Sequence, residues 1–349
     1  MDPVRSGLRT DMRAVVYRET GPSSVLTLVE RDLPEPGPGE VRVRLVRAGV
    51  NPTDWKFRAG MMSGYDEVTP GQDGAGVVDA VGAGVTGLGT GDRVWLVLAQ
   101  HGRAYGTAAE YTVQPADRVV PLPDGADFDL GASLGVPAVT AHRALTASEF
   151  GPARLGPGAL AGRVVLVAGG AGAVGNAAIQ LARWSGATVI TTVSGPEKAA
   201  LASSAGAHHT VDYTQGDTSA RILELAPDGV DIAVEVAPAQ NIGIDLDVVK
   251  THGLVSIYAN NGGDEMTMPL RAAFGKNLRF QFLILYTLDD GLLRAALEDV
   301  AAAVEAGALR VGEAAGVPLH HYPLAATAAA HDAVEGGAVG KVLIDVADG

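Results

Sequence analysis

The chain has 349 residues, 47% hydrophobic and 19% charged, with 46 glycines, a formal net charge of −14 and no cysteine. That length exceeds one ordinary core and points to two domains, while the acidic balance argues against nucleic acid or an anionic membrane as partner. Without cysteine there are no disulfides, no thiol nucleophile and no thiolate-held zinc or iron–sulfur cluster, a composition that fits a cytoplasmic protein.

Residues 1–11, MDPVRSGLRTD, lack the apolar core of a secretory signal and read as a short frayed leader; no apolar stretch is long enough to cross a bilayer. From Glu40 the run Val41, Arg42, Val43, Arg44, Leu45 alternates, which predicts a half-buried strand with apolar groups on one face and charges on the other. Short strands are expected around Val77–Val81, Val94–Leu98 and Tyr111–Val113, separated by Gly-rich or Pro-rich turns, so the first third reads as an all-β partial barrel. GASLG (131–135) matches G-x-S-x-G, but the polar PDGADFDL before it looks like a helix start rather than the buried strand of a hydrolase elbow, and Ser133 is not read as a nucleophile.

After residue 137 the pattern changes. Apolar runs at Val164–Ala168, Val189–Val193, Ile232–Val236, Leu254–Tyr258 and Leu278–Tyr286 alternate with helical segments, the signature of a doubly wound parallel sheet in an α/β protein. As the last strand, Leu278–Tyr286 is the place where a homodimer would pair with its twin. A helix over Asp289–Glu305 and a strand over Lys341–Val346 are expected to return to the first domain. The resulting division is 1–136 with 287–349, and 137–286. The pairs His208–His209 and His320–His321 are neighbours on a strand and point to opposite faces, so no metal site is expected.

The strongest signal is RVVLVAGGAGAVGNAAIQLARWSGA, where an apolar run ends in Gly170, Gly172 and Gly175 at G-x-G-x-x-G spacing. Gly170 is expected to permit the tight turn, Gly172 to let the backbone approach a pyrophosphate, and Gly175 to let helix and strand pack closely. The helix opening at Ala173 and Val174 offers free N–H groups and a positive dipole end to the phosphates. The next apolar run ends in Ser194 and Gly195, with no carboxylate to bind a ribose 2′-hydroxyl, and Lys198 follows one turn later. Ser194 and Lys198 thus point to the 2′-phosphate of NADPH, with a solvated helix lysine as the plain alternative for Lys198.

AGVNPTDWKFRAG (48–60), TPGQDGAGVVDAVGAGV (69–85), GDRVW (91–95), GVPAVTAHRAL (135–145), the glycine loop, VDY (211–213) and GKVLIDV, in that order, resemble the medium-chain dehydrogenase/reductase family over nearly the whole chain. Zinc-containing members carry Cys and a His–Glu pair where this chain has Asn51, Gln72 and Asp73. The resemblance therefore runs to the zinc-free quinone oxidoreductase branch, also called zeta-crystallins, and implies a GroES-like catalytic domain plus a Rossmann domain for NADPH. It further implies that Asn51 and Asp54 lie near the nicotinamide with Thr140 beside it. Tyr213 would join Lys198 at the 2′-phosphate, and Tyr258 and Asn260 would line the nucleotide cleft. The backbone from Phe282 to Ile284 would hold the carboxamide, and Lys341 would reach the cofactor from the last strand. Each also has a bland alternative: a helix residue for Thr140, turn formers for Asn51 and Asn260, plain core for Phe282 and Ile284.

Typical quinone reductases have tyrosine where this chain has Lys56. Protonation after hydride transfer to a quinone or α,β-unsaturated carbonyl is left open among water, Tyr65 and Lys56. An enoyl-thioester or 2-alkenal reductase and a non-catalytic NADPH-binding protein are the alternatives.

Overall fold

The computed structural model describes residues 10–61 and 64–347; most of the leader reading, residues 1–9, lies outside them. The chain divides into two compact units: Met1–Gly135 with His320–Ala338 and Val342–Gly349, and Val136–Leu319 with Val339–Lys341.

The first unit is built on antiparallel pairs. Strands run in the order Leu319–Pro323, Lys341–Asp345, Glu40–Val50, Asp73–Val81, Arg93–Leu96 and Val119–Pro121, with Tyr111–Pro115 also pairing with Glu40–Val50. A hairpin of Asp11–Val16 and Thr27–Asp32, unmarked by any strong alternation, adds to them. Val41, Val43, Leu45, Val78, Val94, Leu96 and Ile344 form its core. The expected charged face of Glu40–Val50 holds only at Arg44. Arg42 is buried, because its guanidinium finds Asp79 at 2.7 Å, Glu35 at 3.0 Å and the Pro34 carbonyl at 2.9 Å. A paired arginine can bury its long apolar stem.

The second unit carries a six-stranded parallel sheet ordered His209–Asp212, Thr188–Val193, Val164–Ala168, Val230–Glu235, Val249–Ile257, Arg279–Phe282. From Val164–Ala168 the chain winds outward one way and then, after His209–Asp212, crosses back to wind the other way. That reversal opens a crevice at the carboxyl ends of the strands, the usual ligand position in such sheets. The expected strand Leu278–Tyr286 is shorter: only Arg279–Phe282 pairs, and Phe282 and Ile284 are exposed. An apolar run reports hydrophobicity, whereas an edge strand with one neighbour leaves part of it uncovered.

Helix Asp290–Glu305 belongs to the second unit and not, as expected, to the first. Its buried Asp299 fixes it there by accepting from His142 Nε2 at 2.7 Å, the Leu155 N–H at 2.7 Å and Arg154 at 2.6 and 2.8 Å. GASLG falls inside helix Phe128–Leu145, where the Ser133 hydroxyl donates to the Asp129 carbonyl at 2.7 Å and is no elbow nucleophile. Among the described residues no helix is long and apolar enough to cross a membrane.

Candidate active site

The corner after Val164–Ala168 turns at Gly169, with φ +69°, and not at Gly170. Gly170 is needed for another reason: a Cβ there would lie 2.2 Å from Thr191 Oγ1. At Gly175 a Cβ would meet the Gly169 carbonyl oxygen at 2.4 Å, so the third glycine does bring helix and strand together. Gly172, by contrast, is exposed and has only ordinary contacts; its bare backbone faces open space. It caps helix Ala173–Trp184 without any side-chain hydrogen bond, which leaves the first turn at Ala173 and Val174 available to an anion. A dinucleotide pyrophosphate fits this cradle.

At the end of the neighbouring strand, Lys198 Nζ donates to Ser194 Oγ at 2.9 Å. The Tyr213 N–H donates to the Val193 carbonyl at 3.0 Å, and its side chain is exposed. Of the three residues expected at a 2′-phosphate, Lys198 and Ser194 are bonded to each other, and Tyr213 is tied by its backbone to the residue before Ser194.

Tyr258, Asn260, Phe282 and Ile284 line one cavity of about 340 Å³ at the ends of the last two strands. Asn260 donates to Asp264. Behind the cavity lie two buried carboxyls that the sequence did not announce. Burial raises Glu235 above its ordinary carboxyl value, and the hydrogen bonds it accepts from the Ala237 N–H and from Asn241 Nδ2 offset that only in part. Burial, then the neighbouring Glu235 charge, raises Asp245 well above the ordinary carboxyl range, so the pair keeps a proton on Asp245. Burial and Glu235 likewise raise the Tyr258 phenol.

In the first unit Asn51 is buried, with Nδ2 donating to Asp73 Oδ2 at 2.7 Å. Its N–H donates to Asp54 Oδ2 at 2.7 Å, one arm of a capping box that starts helix Pro52–Lys56. Beside Asp73, Gln72 is fully buried and its Nε2 donates to Gln100 Oε1 at 3.1 Å. Gln100 in turn lines a cavity of about 340 Å³ with Tyr17 and Tyr65. Lys56 is half-buried with its Nζ 5.8 Å from the Trp55 ring centroid, and lines none of the described cavities.

Two family models match: "Alcohol dehydrogenase GroES-like domain" over residues 37–124 and "Zinc-binding dehydrogenase" over residues 173–304. Quinone oxidoreductase of Lama guanicoe is 32% identical over 340 residues, covering 95% of this chain and 97% of its own. The chain belongs to the medium-chain dehydrogenase/reductase superfamily, in its quinone oxidoreductase branch. A 2-haloacrylate reductase of Burkholderia is 32% identical over 259 residues, 72% of this chain and 74% of its own. Among solved structures, an NAD-dependent alcohol dehydrogenase superposes with TM-score 0.84 at 30% identity, covering 96% of this chain and 100% of its own. Escherichia coli quinone oxidoreductase complexed with NADPH does so with TM-score 0.78 at 25% identity and the same coverage.

The first unit is thus GroES-like and the second Rossmann-like, and the protein is an oxidoreductase of this superfamily. Thr140 is buried in helix Phe128–Leu145 and does not line the cavity of Tyr258 and Asn260. Lys341 opens the last strand, buried, with its N–H on the Pro318 carbonyl at 2.9 Å. Among the described residues no three His, Asp or Glu side chains converge as a metal-ligand set. His208 rests against Arg183 and His321 against Asp345 at 2.8 Å. Sequence reading missed Gly169, Tyr17, Gln100 and the Glu235–Asp245 pair. Gly169, a fourth glycine beside the three of the motif, was the single local hint.

Proposed function

We propose that the protein is an NADPH-dependent, zinc-free reductase acting on a quinone or an α,β-unsaturated carbonyl. The Asn51–Asp73 hydrogen bond carries this reading. Where zinc-containing members place Cys and a His–Glu pair, this chain locks an amide onto a carboxylate and sets Gln72 beside it. That donor set suits hydrogen bonding, and a divalent ion would have one carboxylate and no imidazole or thiolate. The Lys198–Ser194 pair supports NADPH over NADH, since both can donate to a 2′-phosphate. The Escherichia coli quinone oxidoreductase with bound NADPH supports the same choice.

A bound reduced nicotinamide would supply the hydride. The glycine corner anchors the pyrophosphate, Tyr258 and Asn260 line the nucleotide cavity, and in the first unit Asn51 is held from both sides, its N–H by Asp54 and its Nδ2 by Asp73. Positioning of this kind accounts for much of the acceleration in hydride transfer. A second copy of the chain is the proposed partner, meeting its twin along Arg279–Phe282, whose outer edge pairs with no further strand among the described residues and whose Phe282 is exposed.

An acceptor screen that follows NADPH absorbance tests the reading. NADPH should be consumed with quinones and enones, NADH should serve poorly, and dialysis against a chelator should change nothing. A protein inert until a divalent ion is added, or one that oxidises alcohols with NAD as the alcohol dehydrogenase neighbour's name would suggest, overturns it.

A further inference from the structure

We propose that the cavity walled by Tyr17, Thr20, Tyr65, Val68 and Gln100 receives the carbonyl end of an α,β-unsaturated ketone or aldehyde, and that the Tyr17 hydroxyl donates first a hydrogen bond and then its proton to that oxygen. The proposal rests on the reductase reading above and narrows its acceptor class to enones and enals.

Tyr17 follows strand Asp11–Val16 and is held by paired backbone hydrogen bonds with Val68, each 2.9 Å. Its ring is buried, yet the hydroxyl is neither sealed from the cavity nor hydrogen-bonded to any described residue. Buried tyrosines usually satisfy that group. A phenol that instead looks into a cavity of about 340 Å³, within the size range of small-molecule sites, is matched to an acceptor brought by a ligand.

Two routes tie this cavity to Asn51. Tyr17 lies within electrostatic reach of Asp54, which bonds the Asn51 N–H. Gln100 bonds Gln72, the chain neighbour of Asp73, which holds the Asn51 side chain. The apolar wall of Val68 and the two tyrosine rings suits an alkene, and the Tyr17 hydroxyl and Gln100 amide suit one carbonyl. Burial, then the Asp54 carboxylate, pushes the phenol up to about 12, with Arg58 pulling weakly the other way. It therefore stays protonated at neutral pH as a donor of strength close to an enol's own.

The atoms balance as follows. A bound reduced nicotinamide would supply the hydride for a C–H bond at the β-carbon, becoming oxidised as it does so, and the alkene electrons would move to leave negative charge on the carbonyl oxygen. The Tyr17 O–H bond breaks as that oxygen takes the proton. The phenolate recovers a proton from water, and the enol tautomerises to the saturated carbonyl. A hydroquinone anion survives in water and needs no such donor, whereas an enolate does, which is why the cavity favours enones.

The test uses Tyr17→Phe, which keeps the ring and removes no hydrogen bond among the described residues. With 2-cyclohexen-1-one, kcat should fall about a hundredfold or more, the usual weight of a general acid, with little change in KM. NADPH affinity, melting temperature and turnover of 1,4-naphthoquinone should hardly move. The infrared C=O stretch of cyclohexenone bound to the wild type should lie below its value in water, and the variant should lose that lowering. Retained enone turnover, an equal loss with the quinone, or a carbonyl frequency indifferent to Tyr17 overturns the proposal. A wild type that binds NADPH but reduces neither acceptor overturns the reductase reading itself, and is recognised before any variant is made.

Discussion

Lys198 offers its ammonium to Ser194 at a strand end without a competing carboxylate, and a 2′-phosphate there would take charge-assisted hydrogen bonds of about 1.5–3 kcal/mol each. Lys198→Ala should accordingly weaken NADPH by about tenfold or more and spare NADH, as read by fluorescence titration with both nucleotides; equal losses would remove Lys198 from that role. The placement of Lys198 beside Ser194 was legible because its motif is contiguous: strand, glycine corner, strand end and first helical turn follow one another in the chain. Gly169 was displaced by one place because spacing marks a turn without saying which glycine takes positive φ. Tyr17 and Gln100 were hidden for a different reason. They acquire meaning only when residues 17, 54, 72 and 100 converge, and no local pattern records that convergence.

At the scale of elements, helix Asp290–Glu305 hangs on one carboxylate. Burial would raise Asp299, but hydrogen bonds from His142, Arg154 and the Leu155 N–H outweigh it and hold the group at about 2, below its ordinary 3.8. A depressed folded-state value stabilises above the unfolded one, so this contribution is full above about pH 4 and is lost as pH falls toward 2. Asp299→Ala should cost about 3–5 kcal/mol in urea unfolding, because it strands the buried His142 and the Leu155 N–H, whereas half-exposed Arg154 keeps Glu298, and should flatten the acid limb of the stability curve. The periodicity that located the helix could not show its anchorage. The sheet strands fared similarly: Val164–Ala168 was found to the residue, since a central parallel strand is apolar throughout, while Leu278–Tyr286 was overextended because an edge strand buries less than its composition suggests.

For the whole molecule, two units were legible from the change between alternating and continuous apolar runs, and the stretch from 287 to 319 was assigned to the wrong one because helices carry no label for the sheet they cover. If Arg279–Phe282 pairs with a second copy, sedimentation should give twice the chain mass, and Phe282→Glu should shift it toward the monomer by placing a charge on that edge. Glu235 and Asp245 impose a limit opposite in sense to Asp299. The native chain keeps a proton that its unfolded counterpart surrenders, so this stabilisation is full only below about 3.8 and drains as pH climbs through the higher folded value. The half of the protein that grips the nucleotide is thereby confined to a band of acidity, bounded below by one carboxylate and above by another. Asp245→Asn, neutral without a proton, should widen the band upward in thermal melts across pH and leave its acid edge in place.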